Sequence, residues 1–266
     1  MSELPEPPRA RRLPKGLTLR ALVPNAITAA ALCAGLTGIR FAIVGDFEKS
    51  VQAVILAGLL DIIDGRAARL LKAQTRFGAE LDSLADAISF GVAPALIVYL
   101  WTLRDFPGFG WIAALAFAIC CALRLARFNA QLDLVDQPHK RAGFLTGVPA
   151  PAGAGLAMLP MCLWIASARP EFVQPVAVSI WMVLVAFLMI ANIPTLSWSK
   201  LRPPRSIRLL VIALVGLIAA ALLIMPWPTL VLIATSYFLL IPVGLIAYAR
   251  VRRRRAVELA PDGHGS

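Results

Sequence analysis

Apolar residues run along this chain in blocks of about 20, separated by short clusters of Arg, Lys, Pro and Gly. A helix of about 20 apolar residues is long enough to cross the hydrocarbon core of a bilayer. Each block therefore predicts a spanning helix. Eight stand at roughly 24–44, 50–71, 78–101, 109–131, 147–168, 173–196, 207–225 and 228–249. Gly and Pro recur inside them, as membrane helices tolerate. Small residues are dense, as in Ala29-Ala30-Ala31 and Gly153-Ala154-Gly155, and let helix backbones approach closely. Residues 1–20 are Pro- and Arg-rich, and the apolar block after them matches a span in length, which predicts an anchor rather than a cleaved signal peptide. The polar residues 256–266 predict a disordered tail.

Composition supports this pattern. Of the 266 residues, 59% are hydrophobic and only 15% charged, yet the net charge is +11. A soluble domain is roughly 45–50% apolar. The Lys and Arg residues fall between the apolar runs rather than along one soluble face, so the reading is membrane loops and no nucleic-acid partner. With eight spans, 22 of the 26 basic residues lie on the side of both termini. Only Arg40, Lys49, Arg104 and Arg169 lie opposite. The positive-inside rule then places both termini in the cytoplasm, for a multi-pass protein of the cytoplasmic membrane. Cys33, Cys120, Cys121 and Cys162 sit in apolar stretches without C-x-x-C spacing and read as core residues. His139 and His264 have no ligand-spaced neighbour. Any metal is therefore to be held by oxygen.

One region departs from membrane-helix composition. It reads Asp61-Ile62-Ile63-Asp64-Gly65-Arg66-Ala67-Ala68-Arg69, followed after eight residues by Gly78, then Asp82 and Asp86. Asp61 and Asp64 are three apart and Asp82 and Asp86 four apart, so each pair shares a helix face. A short loop joins the two spans, which brings the pairs together. A charge within a membrane helix costs about 2.5–3.5 kcal/mol, and mutual repulsion adds to that. Divalent cations relieve it, and an all-carboxylate site suits Mg²⁺ or Mn²⁺. Gly65, Ala68 and Gly78 keep the approach bare, and Arg69 offers a fork of donors to phosphate oxygens. Metal, arginine and bare backbone together describe a diphosphate site.

The spacing D-x-x-D-G-x-x-A-R, eight residues, G, three residues, D, three residues, D resembles the signature of the CDP-alcohol phosphatidyltransferases at every position. The resemblance implies an all-α polytopic fold of about eight transmembrane helices, six of them forming the family core around a cytoplasmic cavity. It implies two divalent ions on Asp61, Asp64, Asp82 and Asp86. CDP-diacylglycerol would lie over Gly65, Ala68 and Gly78, and Asp86 would act as general base. Family members are commonly homodimers, which is the partner state implied here.

Further stretches look like the phosphatidylserine synthase branch, with L-serine as acceptor. They are Asp82-Ser83-Leu84-Ala85-Asp86 with Ser89 to Pro94, Arg124-Leu125-Ala126-Arg127-Phe128-Asn129, then Phe144, Gly147, Pro149, Pro151 and Ala152, and Asn192-Ile193-Pro194-Thr195. Ala150 departs from a Ser common in that branch. Arg124 and Arg127 share a helix face, with Asn129 just beyond, and form the candidate serine pocket. The alternatives are another acceptor alcohol (glycerol phosphate, inositol phosphate or an amino alcohol) and, in a different class, a cation-coupled transporter. Transporter sites lie near the midplane in paired repeats, whereas these aspartates have no counterpart in the second half. The organisation expected is a basic segment at 1–23, the core at 24–200, two added helices at 201–250 and a basic tail at 251–266.

Overall fold

A computed structural model of the chain describes residues 19–132, 144–191, 194–196 and 208–258. The basic segment through residue 18, Lys140, Arg141, Asn192, Ile193, Lys200, Arg202, Arg205 and the last eight positions lie outside the described residues.

The described residues form eight helical rods, two of them interrupted. Helix α1 is Leu19–Ile43 and α2 is Phe47–Leu70. The third rod comprises α3 (Arg76–Asp86), a π-helical turn (Ala87–Val92) and α4 (Ala93–Trp101). Helix α5 is Phe109–Leu132. The fifth rod is α6 (Ala150–Ala157) and α7 (Leu159–Ser167), bent by 43° at Met158. Helix α8 is Pro175–Ile190, α9 is Arg208–Ile224 and α10 is Pro226–Glu258. A two-stranded antiparallel ribbon, β1 (Phe144–Thr146) with β2 (Pro194–Leu196), pairs Leu145 with Thr195.

Three rods are long and apolar enough to cross a membrane by length and composition: Arg20–Ile43, Arg76–Trp101 and Phe109–Ala130. The bent α6–α7 pair makes a fourth, and α8, α9 and the first half of α10 are shorter apolar helices. Helix α2 stands apart because Asp61, Asp64, Arg66 and Arg69 fall in its last turns. The eight blocks of the sequence thus return as eight rods in an all-α membrane architecture. The expected span 147–168 is broken rather than continuous, since Pro160 in the first turn of α7 has no N–H to continue the ladder of α6. The last helix continues beyond position 250, to Glu258.

The turns and small residues set the packing. Gly45 adopts φ +83° between α1 and α2. Asp46 then caps α2 by accepting a bond from the Lys49 amide at 3.1 Å, and pairs with Lys49 Nζ at 2.6 Å. The hydrogen bond from Lys49 holds the Asp46 carboxyl below its ordinary range. Helix α1 lies against α2 and reaches the π turn. A Cβ on Gly35 would stand 2.6 Å from Ser89 Oγ and 2.9 Å from its Cα, so only glycine permits this approach. The π turn falls just before Pro94, which offers no N–H to the carbonyl of Phe90. Phe90, Ile97, Val98, Phe117, Leu156, Met161, Met182 and Met189 fill the centre of the bundle. Helix α10 packs on α6 and α7, where Phe238 meets Trp181 of α8 with ring centroids 5.0 Å apart.

Candidate active site

The functional side chains collect at one end of the bundle, where the N-terminus of α1, the C-terminus of α2 and the N-terminus of α3 meet. Helix α2 presents Asp61 and Asp64 one turn apart. Thr75 caps α3 by accepting a bond from the Gly78 amide at 3.0 Å, and this start places Asp82 and Asp86 on the facing surface. Carboxylate oxygens of Asp61, Asp64 and Asp82 all lie within 4.8 Å of one another. Asp86 stands beside this triplet, in electrostatic contact with all three and within hydrogen-bonding reach of Asp61.

Asp64 is 3% exposed and Asp61, Asp82 and Asp86 are half-buried. Among the described residues, the ion pairs are Lys49–Asp46 and Arg104–Asp105, and neither touches these carboxylates. Four acidic groups are therefore gathered with no salt bridge to any of them among the described residues. This is the donor set of a hard divalent cation. Asp61, Asp64 and Asp82 fit such an ion directly, with Asp86 adjacent.

A residue absent from the signature positions Asp64. The Thr28 hydroxyl on α1 lies 2.6 Å from Asp64 Oδ2 and 3.0 Å from the Pro24 carbonyl. It has one proton, and the carboxylate is the stronger acceptor. The Asn25 side chain lies on the same stretch of α1, with its Oδ1 2.9 Å from where a Cβ on Gly78 would stand. The Asn25 Nδ2 is buried without a partner. The sequence signal for both was a pair of polar residues, three apart, at the entry of an otherwise apolar span.

The other expected site residues separate into groups. A Cβ on Gly65 would meet nothing within 4 Å, so the space over this glycine is open to a ligand. Gly78 instead serves helix contact, between Asn25 and Thr75. Ala68 is half-buried on the α2 surface one turn beyond Asp64. Arg69 is exposed, with its Nε donating to the Gly65 carbonyl at 2.9 Å, which leaves its terminal nitrogens for a ligand. In the expected serine pocket, Arg124 is half-buried in electrostatic contact with Asp86. Arg127 donates through Nη1 to the Ile190 carbonyl at the end of α8, 3.3 Å away. Asn129 donates to Ser83 Oγ at 2.8 Å, and Ser83 donates to the Ala79 carbonyl at 3.0 Å. Of these three, Arg124 faces the aspartates, while Arg127 and Asn129 brace α8 and α3. Ala150 is fully buried in the core.

The sequence is also similar to that of known proteins. Residues 21–198 match the family described as CDP-alcohol phosphatidyltransferase. The chain is 37% identical over 235 residues to the CDP-diacylglycerol–serine O-phosphatidyltransferase of Mycobacterium tuberculosis, covering 88% of this chain and 80% of that protein. It is 37% identical over 238 residues to the enzyme of the same name from Mycobacterium leprae, with 90% and 78% covered. The corresponding Helicobacter pylori enzyme is 34% identical over 200 residues, with 74% and 81% covered.

Proposed function

Because the chain belongs to the CDP-alcohol phosphatidyltransferase family, we propose that it transfers the phosphatidyl group of CDP-diacylglycerol to the hydroxyl of L-serine, giving phosphatidylserine and CMP. The observation that carries this reading is the convergence of Asp61, Asp64 and Asp82, with Asp86 beside them, at one end of an otherwise apolar bundle and with no salt bridge among the described residues. The serine acceptor is supported by the similarity to serine-transferring enzymes over most of the chain.

The residues divide the work. Asp61, Asp64 and Asp82 hold divalent metal, Mg²⁺ or Mn²⁺ and two ions in this reading, with Thr28 fixing Asp64. When bound, the metal neutralises the diphosphate and the departing CMP. The open surface over Gly65 and Ala68 admits the diphosphate, and Arg69 grips its oxygens. Asp86 takes the proton of the serine hydroxyl. The serine oxygen then forms the new bond to the phosphatidyl phosphorus as the bond to CMP breaks. Asp86 suits the role of base because it stands outside the tight triplet yet touches it. Arg124 binds the serine carboxylate. The site opens to the cytoplasm, the side favoured by the Lys and Arg asymmetry, and the chain works as a homodimer.

The test is direct. Membranes containing the protein, labelled serine, CDP-diacylglycerol and Mn²⁺ are expected to yield labelled phospholipid and an equal amount of CMP. Label in lipid from glycerol phosphate, inositol phosphate or an amino alcohol, but none from serine, overturns the acceptor. No CMP release with any of these alcohols overturns the transferase reading.

A further inference from the structure

The last helix brings to the site a residue that no signature position contains. The Tyr237 hydroxyl on α10 is buried without a hydrogen-bond partner, and so is Nε of Arg124 on α5. The two side chains lie within electrostatic range of each other, and Arg124 within electrostatic range of Asp86, with no hydrogen bond between them. Helix α5 reaches the aspartates through the π turn, where a Cβ on Gly91 would stand 3.2 Å from Cys121, one turn before Arg124. Helix α10 is held at this place by Phe238, the neighbour of Tyr237, against Trp181.

A buried donor without a partner has given up its bonds to water and received none in return. Here two such donors, one charged and one neutral, lie within electrostatic range of each other, and the charged one within range of the proposed base. The Arg Nε–H and the phenol O–H both donate, and an anionic oxygen pair accepts from both. An amino alcohol offers no such group, whereas an amino acid offers a carboxylate and a phosphorylated alcohol offers a phosphate.

We propose that Tyr237 and Arg124 together bind the carboxylate of the acceptor amino acid, so that α10 completes the acceptor pocket. This rests on serine as the acceptor. It gives the second half of the chain a part in substrate choice: the metal and nucleotide groups come from α1 to α3, and the acceptor groups from α5 and α10.

The experiment uses the full-length protein in detergent micelles with Mn²⁺ and compares L-serine with L-serinamide, whose neutral amide replaces the carboxylate. Tyr237→Phe keeps the ring and is expected to raise the KM for serine about tenfold to a hundredfold, the range for a hydrogen bond to a charged group. Its kcat and its KM for CDP-diacylglycerol stay near wild type. The KM or competitive inhibition constant of serinamide changes much less than that of serine. Arg124→Lys keeps the charge, loses the Nε donor and gives the same selective pattern. An unchanged serine KM in Tyr237→Phe, or equal weakening of serine and serinamide, overturns the proposal. Wild-type protein that makes no phosphatidylserine but charges glycerol phosphate overturns the acceptor reading instead.

Discussion

The hydrogen bond from Thr28 to Asp64 separates holding a metal from orienting its ligand. Thr28→Val removes the donor with little change of volume, and loss of such a supporting bond weakens metal affinity about 10–100-fold. Turnover in Thr28→Val is expected to recover at high Mn²⁺, and Thr28→Ser to restore the wild-type requirement. Titration of activity against Mn²⁺ reads both, and equal requirements in all three proteins would rule the role out. Asp61→Asn and Asp82→Asn behave differently, because each removes a ligand. Their turnover is expected to fall about 10²–10³-fold, the size of a lost preorganised electrostatic contact, and extra metal does not restore it. Asp86→Asn also loses turnover, while calorimetry with CDP-diacylglycerol and metal shows binding retained better than in Asp61→Asn. Equal loss of binding in both would make Asp86 a metal holder only. The aspartates were legible in the sequence because two acidic pairs at the facing ends of successive apolar spans stand out from membrane-helix composition. Thr28 was not, since a lone Thr in an apolar helix commonly bonds its own backbone, and its partner lies 36 residues away. Tyr237 was equally silent, as a Tyr in a membrane helix carries no spacing signal.

Glycines that look alike along the chain part company once helices pack. Gly65 and Gly78 belong to one motif, yet only Gly65 borders open space. Gly65→Ala is expected to raise the KM for CDP-diacylglycerol with an unchanged melting temperature. Gly78→Ala pushes on Asn25 and lowers the melting temperature, by an overpacking penalty of about 1–3 kcal/mol. Gly35→Ala meets backbone as well as side chain of Ser89 and is the most destabilising of the three. Thermal unfolding in detergent with parallel kinetics tests the order, and a melting temperature lowered equally by Gly65→Ala would refute it. The rods themselves were legible from apolar length. The breaks were less so, because a Pro inside a membrane helix can be tolerated, kinked or turned into a new start. Pro24 stays within α1, Pro94 follows a π turn and Pro160 accompanies a 43° bend. Only the neighbours of each Pro distinguish these outcomes.

For the molecule as a whole, eight alternating spans would put Met225 to Pro228, between α9 and the first turn of α10, on the face opposite the aspartates. A single cysteine placed there, in a background without the native cysteines, is expected to react with an impermeant reagent in intact cells. Protection of that cysteine would count against the eight-span topology. The general shape of the bundle followed from apolar blocks and loop charge. What those could not convey is that the last helix packs back on α6 and α7, since that contact depends on shape rather than pattern. The gathering of all four carboxylates at one end of the bundle has a consequence for the bilayer itself. In the proposed reaction, each turnover would exchange a headgroup in the leaflet that the aspartates face and leave the other untouched. The phosphatidylserine proposed as product would then start out one-sided, its anionic charge on the leaflet that the aspartates face. Its appearance on the far leaflet would then need a separate step of transbilayer movement.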